Sequence, residues 1–248
     1  MGNSCIFAPA KIIDFMSKQT TKKAETIVDV QQVYTRTEMF LENNRKALSV
    51  GLIAFIGLFG GFMAYQYLYK KPKEVEAGNA AIRADLWAEQ DSLEWAVMGQ
   101  GEFEGYESIA SKFSGTKVAM RAHFWCGVYF RDNKADYAAA LEHFKQADFD
   151  DEAVGVEVTG CVGDMYVMTG DIEKGASWLE KAAKQANSSE SRDFTGPIYG
   201  LKAAKAYMEL GKNDKAVSLL QYIVDNYDKK GQEYGESEKL LAYLNAMG

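Results

Sequence analysis

The sequence predicts an all-α chain: one N-terminal transmembrane helix, then a solenoid of helical hairpins. Three observations carry that expectation. A 23-residue run without charge, ALSVGLIAFIGLFGGFMAYQYLY, lies between Lys46 and Lys70. The rest holds only three prolines and is rich in alanine, leucine, lysine and glutamate, all good helix formers. Self-similar segments recur along the C-terminal half, which is the mark of a stacked-repeat architecture.

Residues 1–46 form the N-terminal segment. Met16 heads a polar stretch, MSKQTTKKAE, that would serve as a start as well as Met1 does. The opening MGNSC lacks the serine or threonine that a myristoylation signal wants where Ile6 stands. Residues 17–29 are polar and lysine-bearing and read as flexible. From Val30 to Leu48 apolar residues return at helical spacing (Val30, Val33, Met39, Phe40, Leu41), predicting a short amphipathic helix that runs into the span.

Residues 47–69 are the span. At about 1.5 Å per residue it reaches roughly 35 Å, enough for a hydrocarbon core of about 30 Å. It is longer than a signal-peptide core and no A-x-A site follows closely, so it reads as an uncleaved signal anchor. Tyr65, Tyr67 and Tyr69 gather at its exit, where amphipathic rings favour the headgroup layer. Lysine and arginine flank both ends and leave the orientation open. Ala54, Gly57, Gly61 and Ala64 share one helical face and include a G-x-x-x-G pair, a candidate contact with another membrane helix.

Residues 74–248 are long enough for one domain with its own core. Glu74–Met98 and Glu102–Phe113 read as two capping helices. Three hairpins follow. Gly127–Ala147, Gly163–Ala182 and Ala204–Ile223 share a tyrosine slot (Tyr129, Tyr166, Tyr207) and a small slot (Ala140, Gly175, Ala216). The glycines Gly170 and Gly211 stand where the first helix of a pair must end in a left-handed residue. Asp171 and Asp214 suit the start of the second helix, and Pro197 the first turn of the third repeat's first helix. Asn187–Gly196 reads as a polar linker, and Glu233–Met247 as a closing helix that covers the last repeat.

These segments resemble tetratricopeptide repeats, whose usual period is about 34 residues. In such solenoids the first helix of each pair lines the concave face. The resemblance therefore implies a protein-binding groove of Arg121, Phe124, Val128 and Arg131 in the first repeat. Glu157, Asp164, Val167 and Met168 would follow in the second, and Leu201, Lys205, Met208 and Glu209 in the third. The lysine, asparagine and arginine pattern of a carboxylate clamp is absent.

Chemistry is not written in this chain. The net charge of −7, without a basic stripe, argues against nucleic acid. No H-E-x-x-H, G-x-S-x-G or phosphate-binding loop occurs. His123 and His143 lack partners at ligand spacing, and the acidic run Asp148-Phe149-Asp150-Asp151-Glu152 lacks the glycine and closing glutamate of a calcium loop. Cys126 and Cys161 read as buried hydrophobes, with a disulfide between them left open. The expectation is no enzyme, no catalytic residue, no metal, no cofactor and no small-molecule substrate.

The junction FLENNRKALSVGLIAFIGLFGGFMAYQYLY has an aromatic, then E-N-x-x-K-A-L running into a glycine-rich span with an aromatic exit. It resembles the bacterial YfgM family, over an architecture reaching from about Met39 to Gly248. The resemblance implies a bacterial inner (plasma) membrane location, a cytoplasmic N-terminus and a periplasmic repeat domain. It also implies partnership with the SecYEG translocon and a PpiD-like periplasmic chaperone, as an accessory subunit engaging chaperones or emerging clients. This chain has a longer N-terminal segment and a longer Asn187–Gly196 linker than that pattern. Two other readings stay open: a scaffold of another cell-envelope complex (division, secretion or outer-membrane assembly), and a tethering receptor with a cytosolic repeat domain.

Overall fold

The computed structural model describes residues 11–149, 151–189 and 192–247, with side chains from Glu38 to Ala246 among them. Cys5, the MGNSC opening and Asp150 of the acidic run lie outside the described residues, as do the side chains of Val30 and Val33. Two compact units emerge, Met1–Gln66 and Tyr67–Gly248.

In the first unit the helix α1 covers Lys11–Ala64. The sequence predicted a flexible stretch at residues 17–29 and a separate short helix; the structure instead holds one helix across both. No proline or glycine interrupts Lys11–Val50, and lysine, glutamate, glutamine and alanine sustain a helix in polar surroundings. The stretch Glu38–Glu89 contains a segment long and apolar enough to cross a membrane, with mean hydropathy 2.1 and none of that segment buried.

Tyr65–Lys70 forms a π-helical turn, followed by α2 (Lys71–Glu89). Pro72 gives the physical reason for the wider turn. Its ring would strike the carbonyl of Leu68 in a regular helix, and it has no N–H to donate.

The second unit is a series of antiparallel helices. After α2 come α3 (Leu93–Met98) and α4 (Tyr106–Lys112). The paired helices are α5 (Lys117–Asp132) with α6 (Tyr137–Gln146), α7 (Glu152–Met168) with α8 (Ile172–Ala186), and α9 (Arg192–Glu209) with α10 (Asn213–Asn226). The closing helix is α11 (Gln232–Met247). No strand occurs among the described residues.

Two elements differ from the sequence reading. Glu74–Met98 is two helices, because Asp91 adopts a left-handed φ of 54° and the N–H groups of Gln90 and Ser92 both close on the Trp87 carbonyl. The Asn187–Gly196 linker is shorter than expected, because α9 begins at Arg192 and Pro197 sits inside it. That costs α9 one backbone hydrogen bond near its start, where few are yet formed, so the helix survives.

The turns within the repeats follow their residues. Gly170 and Gly211 hold φ of 89° and 68° and end α7 and α9. Ala135 takes the matching place in the first repeat at φ 52°. Asp136 and Asp171 then cap α6 and α8 by accepting from the N–H groups of Ala139 and Lys174. Within the second pair, a Cβ on Gly163 would come within 2.8 Å of Leu179, and one on Gly175 within 2.4 Å of Val167. The two helices approach that closely because those positions are bare.

The core runs along the array as overlapping clusters, each shared by adjacent helices. Ala77, Ala81, Ala84, Tyr106, Ile109 and Tyr129 fill the N-terminal end. Phe144, Cys161 and Val162 link the first pair to the second. Val156, Leu179 and Tyr199 link the second to the third. Leu201, Leu220, Ile223 and Leu241 close the C-terminal end. Such nearest-neighbour packing makes stability a sum over adjacent helices.

Polar side chains stitch the same joints. The Tyr106 hydroxyl donates to Asp85 at 2.6 Å, Tyr199 to Glu157 at 2.8 Å and Tyr207 to Glu180 at 2.7 Å. Each link spans two helices. Glu74 on α2 accepts from the N–H groups of Lys117 and Val118 at the start of α5, where the helix dipole favours an anion.

Candidate functional site

Six of the twelve groove residues expected from the sequence meet in one cavity of about 470 Å³: Arg131, Asp164, Val167, Met168, Lys205 and Glu209. Its walls are α5, α7 and α9, the first helices of the three successive pairs. The floor is apolar, with Val167, Leu179 and Met168, the last 52% exposed. A thioether on an unbranched stem can re-pack around different side chains, which suits a surface meeting varied sequences.

Charges ring this floor in matched pairs. Arg131 donates to Asp132 through Nε at 2.7 Å and Nη2 at 2.9 Å, and a third nitrogen, Nη1, lies 3.4 Å from Cys161 Sγ. That bidentate contact pushes the guanidinium up and holds the Asp132 carboxyl below its usual range. Lys202 reaches Asp164 at 2.6 Å, and Lys205 reaches Glu236 of α11 at 2.7 Å. The two lysine ion pairs are partly solvated and each is worth about 0–1 kcal/mol, so a ligand can exchange them at little cost.

The other six expected residues lie elsewhere. Arg121 is bound to Asp85 of α2 at 2.8 Å. Phe124 packs edge-on to Phe144 and Phe149, and Val128 packs on the cluster between the first and second pairs. Glu157 accepts the Tyr199 hydroxyl. Leu201 is core, 6% exposed, and Met208 is partly buried beside it. In the third repeat the groove-facing register is Lys202, Lys205, Ala206 and Glu209. The heptad-like spacing of Lys202, Ala206 and Glu209 was visible in the sequence. The competing apolar choice of Leu201 was not separable from it without the neighbouring helix. Tyr137 and Leu179 also line the cavity from second helices, which a reading confined to first helices omits.

A second cavity, of about 430 Å³, lies between α8, α9 and α10. Ala183, Leu219, Tyr222 and Ile223 form its apolar wall, and Lys184 and Lys215 stand at its rim. It contains none of the expected groove residues.

His123 and His143 are brought into contact, with Nδ1 atoms 3.0 Å apart. Neither histidine has a partner at ligand spacing along the chain; the antiparallel hairpin brings the two together. Cys126 and Cys161 are free and buried, and burial pushes both thiols up to about 12. Among the described residues no group of three histidine, cysteine, aspartate or glutamate side chains is placed to hold a metal ion. Along α1, Ala54, Gly57, Gly61 and Ala64 are all exposed, and nothing stands within 4 Å of a Cβ placed on either glycine.

No protein-family model matches this chain, and no curated protein matches it. Among solved structures, a crystal structure from Podosopora anserina is similar; it is described as a kinesin light chain with nearly identical TPR-like repeats. The likeness has a TM-score of 0.50 at 16% identity and covers 68% of this chain and 84% of that one. It shows the fold: the helical pairs of this chain are a tetratricopeptide-like solenoid.

Proposed function

We propose that this chain is a membrane-tethered, non-catalytic module that binds segments of other proteins in the groove between α5, α7 and α9. The observation that carries the reading is the meeting of Arg131, Asp164, Val167, Met168, Lys205 and Glu209 around one apolar floor. Side chains from three successive repeats then address one ligand, while no single helix supplies the site. An extended or helical segment with one apolar anchor and flanking charges of both signs fits it.

At finer grain, the chain is an accessory subunit of the Sec translocon in a bacterial inner membrane. Its repeat domain stands in the periplasm and engages a PpiD-like chaperone or emerging clients. Support comes from the uncharged helical stretch before the repeats and from the likeness of its junction to the YfgM family.

Crosslinking in intact cells, gentle solubilisation and mass spectrometry of the tagged chain test this directly. Recovery of SecY with periplasmic folding factors is the expected result. Recovery of a division, secretion or outer-membrane assembly complex instead would move the function to a scaffold of that machine. Loss of the same partners in the Met168→Asp and Lys205→Glu variants assigns them to the groove. Retention of all partners by both variants would overturn the groove.

A further inference from the structure

The helix α2 carries a second, unpartnered surface. One face is spent on the core, where Ala77, Ala81 and Ala84 are fully buried. The opposite face repeats at three- and four-residue steps: Pro72, Val75, Asn79, Ile82, Leu86 and Glu89, all exposed. Val75 is 64%, Ile82 55% and Leu86 42% open to solvent. Alternating steps of three and four are the spacing of a two-helix seam. With Val75 and Ile82 at d, the a positions are Asn79 and Leu86. A single asparagine at an a position pairs best with itself and sets register, and it selects two strands against the higher-order packing that leucine at a with isoleucine at d favours.

The flanking charges agree with a second copy of this helix. Arg83 folds back over Phe103, 4.8 Å from its ring centroid, and Asp85 turns to Tyr106 and Arg121. Neither guards the centre of the seam. Lys71 and Glu76 remain at the outer positions g and e, where a parallel copy sets each lysine opposite the partner's glutamate. Lys71 rests over the Tyr67 ring at 3.8 Å in the single chain. Glu89, at the last d position, would face its own like charge and ends the seam.

We infer that two copies of this chain pair in parallel along the Val75–Asn79–Ile82–Leu86 face of α2. The parallel direction rests on the membrane-tethered reading, which makes both copies leave the same membrane face. Tethering also supplies the effective concentration that so short a seam needs.

The test uses the full chain in its membrane with Cys5→Ser, since Cys126 and Cys161 are buried. Asn79→Cys and Leu86→Cys are each oxidised with copper phenanthroline. Each is expected to give a disulfide-linked dimer, while Ser177→Cys on α8 gives none. Adding Ile82→Asp abolishes the crosslink. Lys71→Glu alone weakens it, and Lys71→Glu with Glu76→Lys restores it. Absence of dimer at both 79 and 86, or equal dimer at 177, overturns the seam. Carbonate extraction judges the tether separately. A chain released by carbonate that still crosslinks at 79 and 86 keeps the seam and loses the tether.

Discussion

His123 and His143 face each other across the α5–α6 hairpin with their Nδ1 atoms 3.0 Å apart. One ring must therefore carry its proton on Nδ1 and the other on Nε2, since two Nδ1 donors or two bare nitrogens would repel. Phe130 stacks on His143 at a centroid distance of 5.4 Å. Burial first, then the His143 ring, lowers His123 to about 4, and burial lowers His143 too. Glu107 and Glu142 oppose that shift at His143.

The pair makes stability depend on pH in a definite sense. The folded chain holds His123 neutral, whereas the unfolded chain binds a proton near 6.5. Its contribution is full above about pH 6.5 and is lost as pH falls toward 4. Allowing for partial solvent screening, the loss is about 1–2 kcal/mol. Urea unfolding at pH 7.0 and pH 5.0 measures it. A His123→Leu/His143→Phe variant should show a smaller drop over that interval; an equal drop would assign it to the carboxylates.

Tyr199 joins two repeats through a single hydroxyl. Burial first, then the charge of Glu157, which accepts its hydroxyl at 2.8 Å, hold the phenol well above its usual range. Tyr199→Phe should cost about 0.5–1.5 kcal/mol, the usual worth of such a bond. Gly160→Ala should cost more, about 1–3 kcal/mol, because the new methyl would meet the ring at 2.0 Å. Denaturant midpoints order the two, and a neutral Gly160→Ala would contradict the packing.

The left-handed turns predict opposite signs for two swaps. Gly211→Ala places a side chain at φ 68° with open space around it, so strain alone acts, about 1–2 kcal/mol. Ala135→Gly relieves the same strain at φ 52° and should be neutral or stabilising. Thermal melting of the two variants decides it, and a destabilised Ala135→Gly would sink the comparison.

The buried thiols make a kinetic prediction. With Cys5 replaced by serine, Cys126 and Cys161 should resist alkylation at pH 8, because burial holds both near 12. Labelling should proceed only at the rate of unfolding, read by intact mass against time. Fast labelling of either thiol in the native chain would refute the burial.

The sequence alone determined the features that local chemistry governs. Twenty-three uncharged residues set the apolar helix. Gly170 and Gly211 fixed where α7 and α9 end, because a left-handed turn disfavours a side chain. Gly163 and Gly175 marked the close approach of α7 and α8, and the repeating tyrosine and small slots gave the number of helical pairs. The tertiary structure decided what depends on a neighbouring helix. Leu201 and Lys202 both lie near the groove-facing side of α9, and only the helices packed on it bury the first and leave the second beside Asp164. His123 and His143, twenty positions apart, meet only because α5 and α6 fold back antiparallel. Ala77, Ala81 and Ala84 take the core face of α2, and that choice leaves Val75, Ile82 and Leu86 exposed on the other. A periodic pattern names the faces of a helix, but which face is covered is settled by what packs against it.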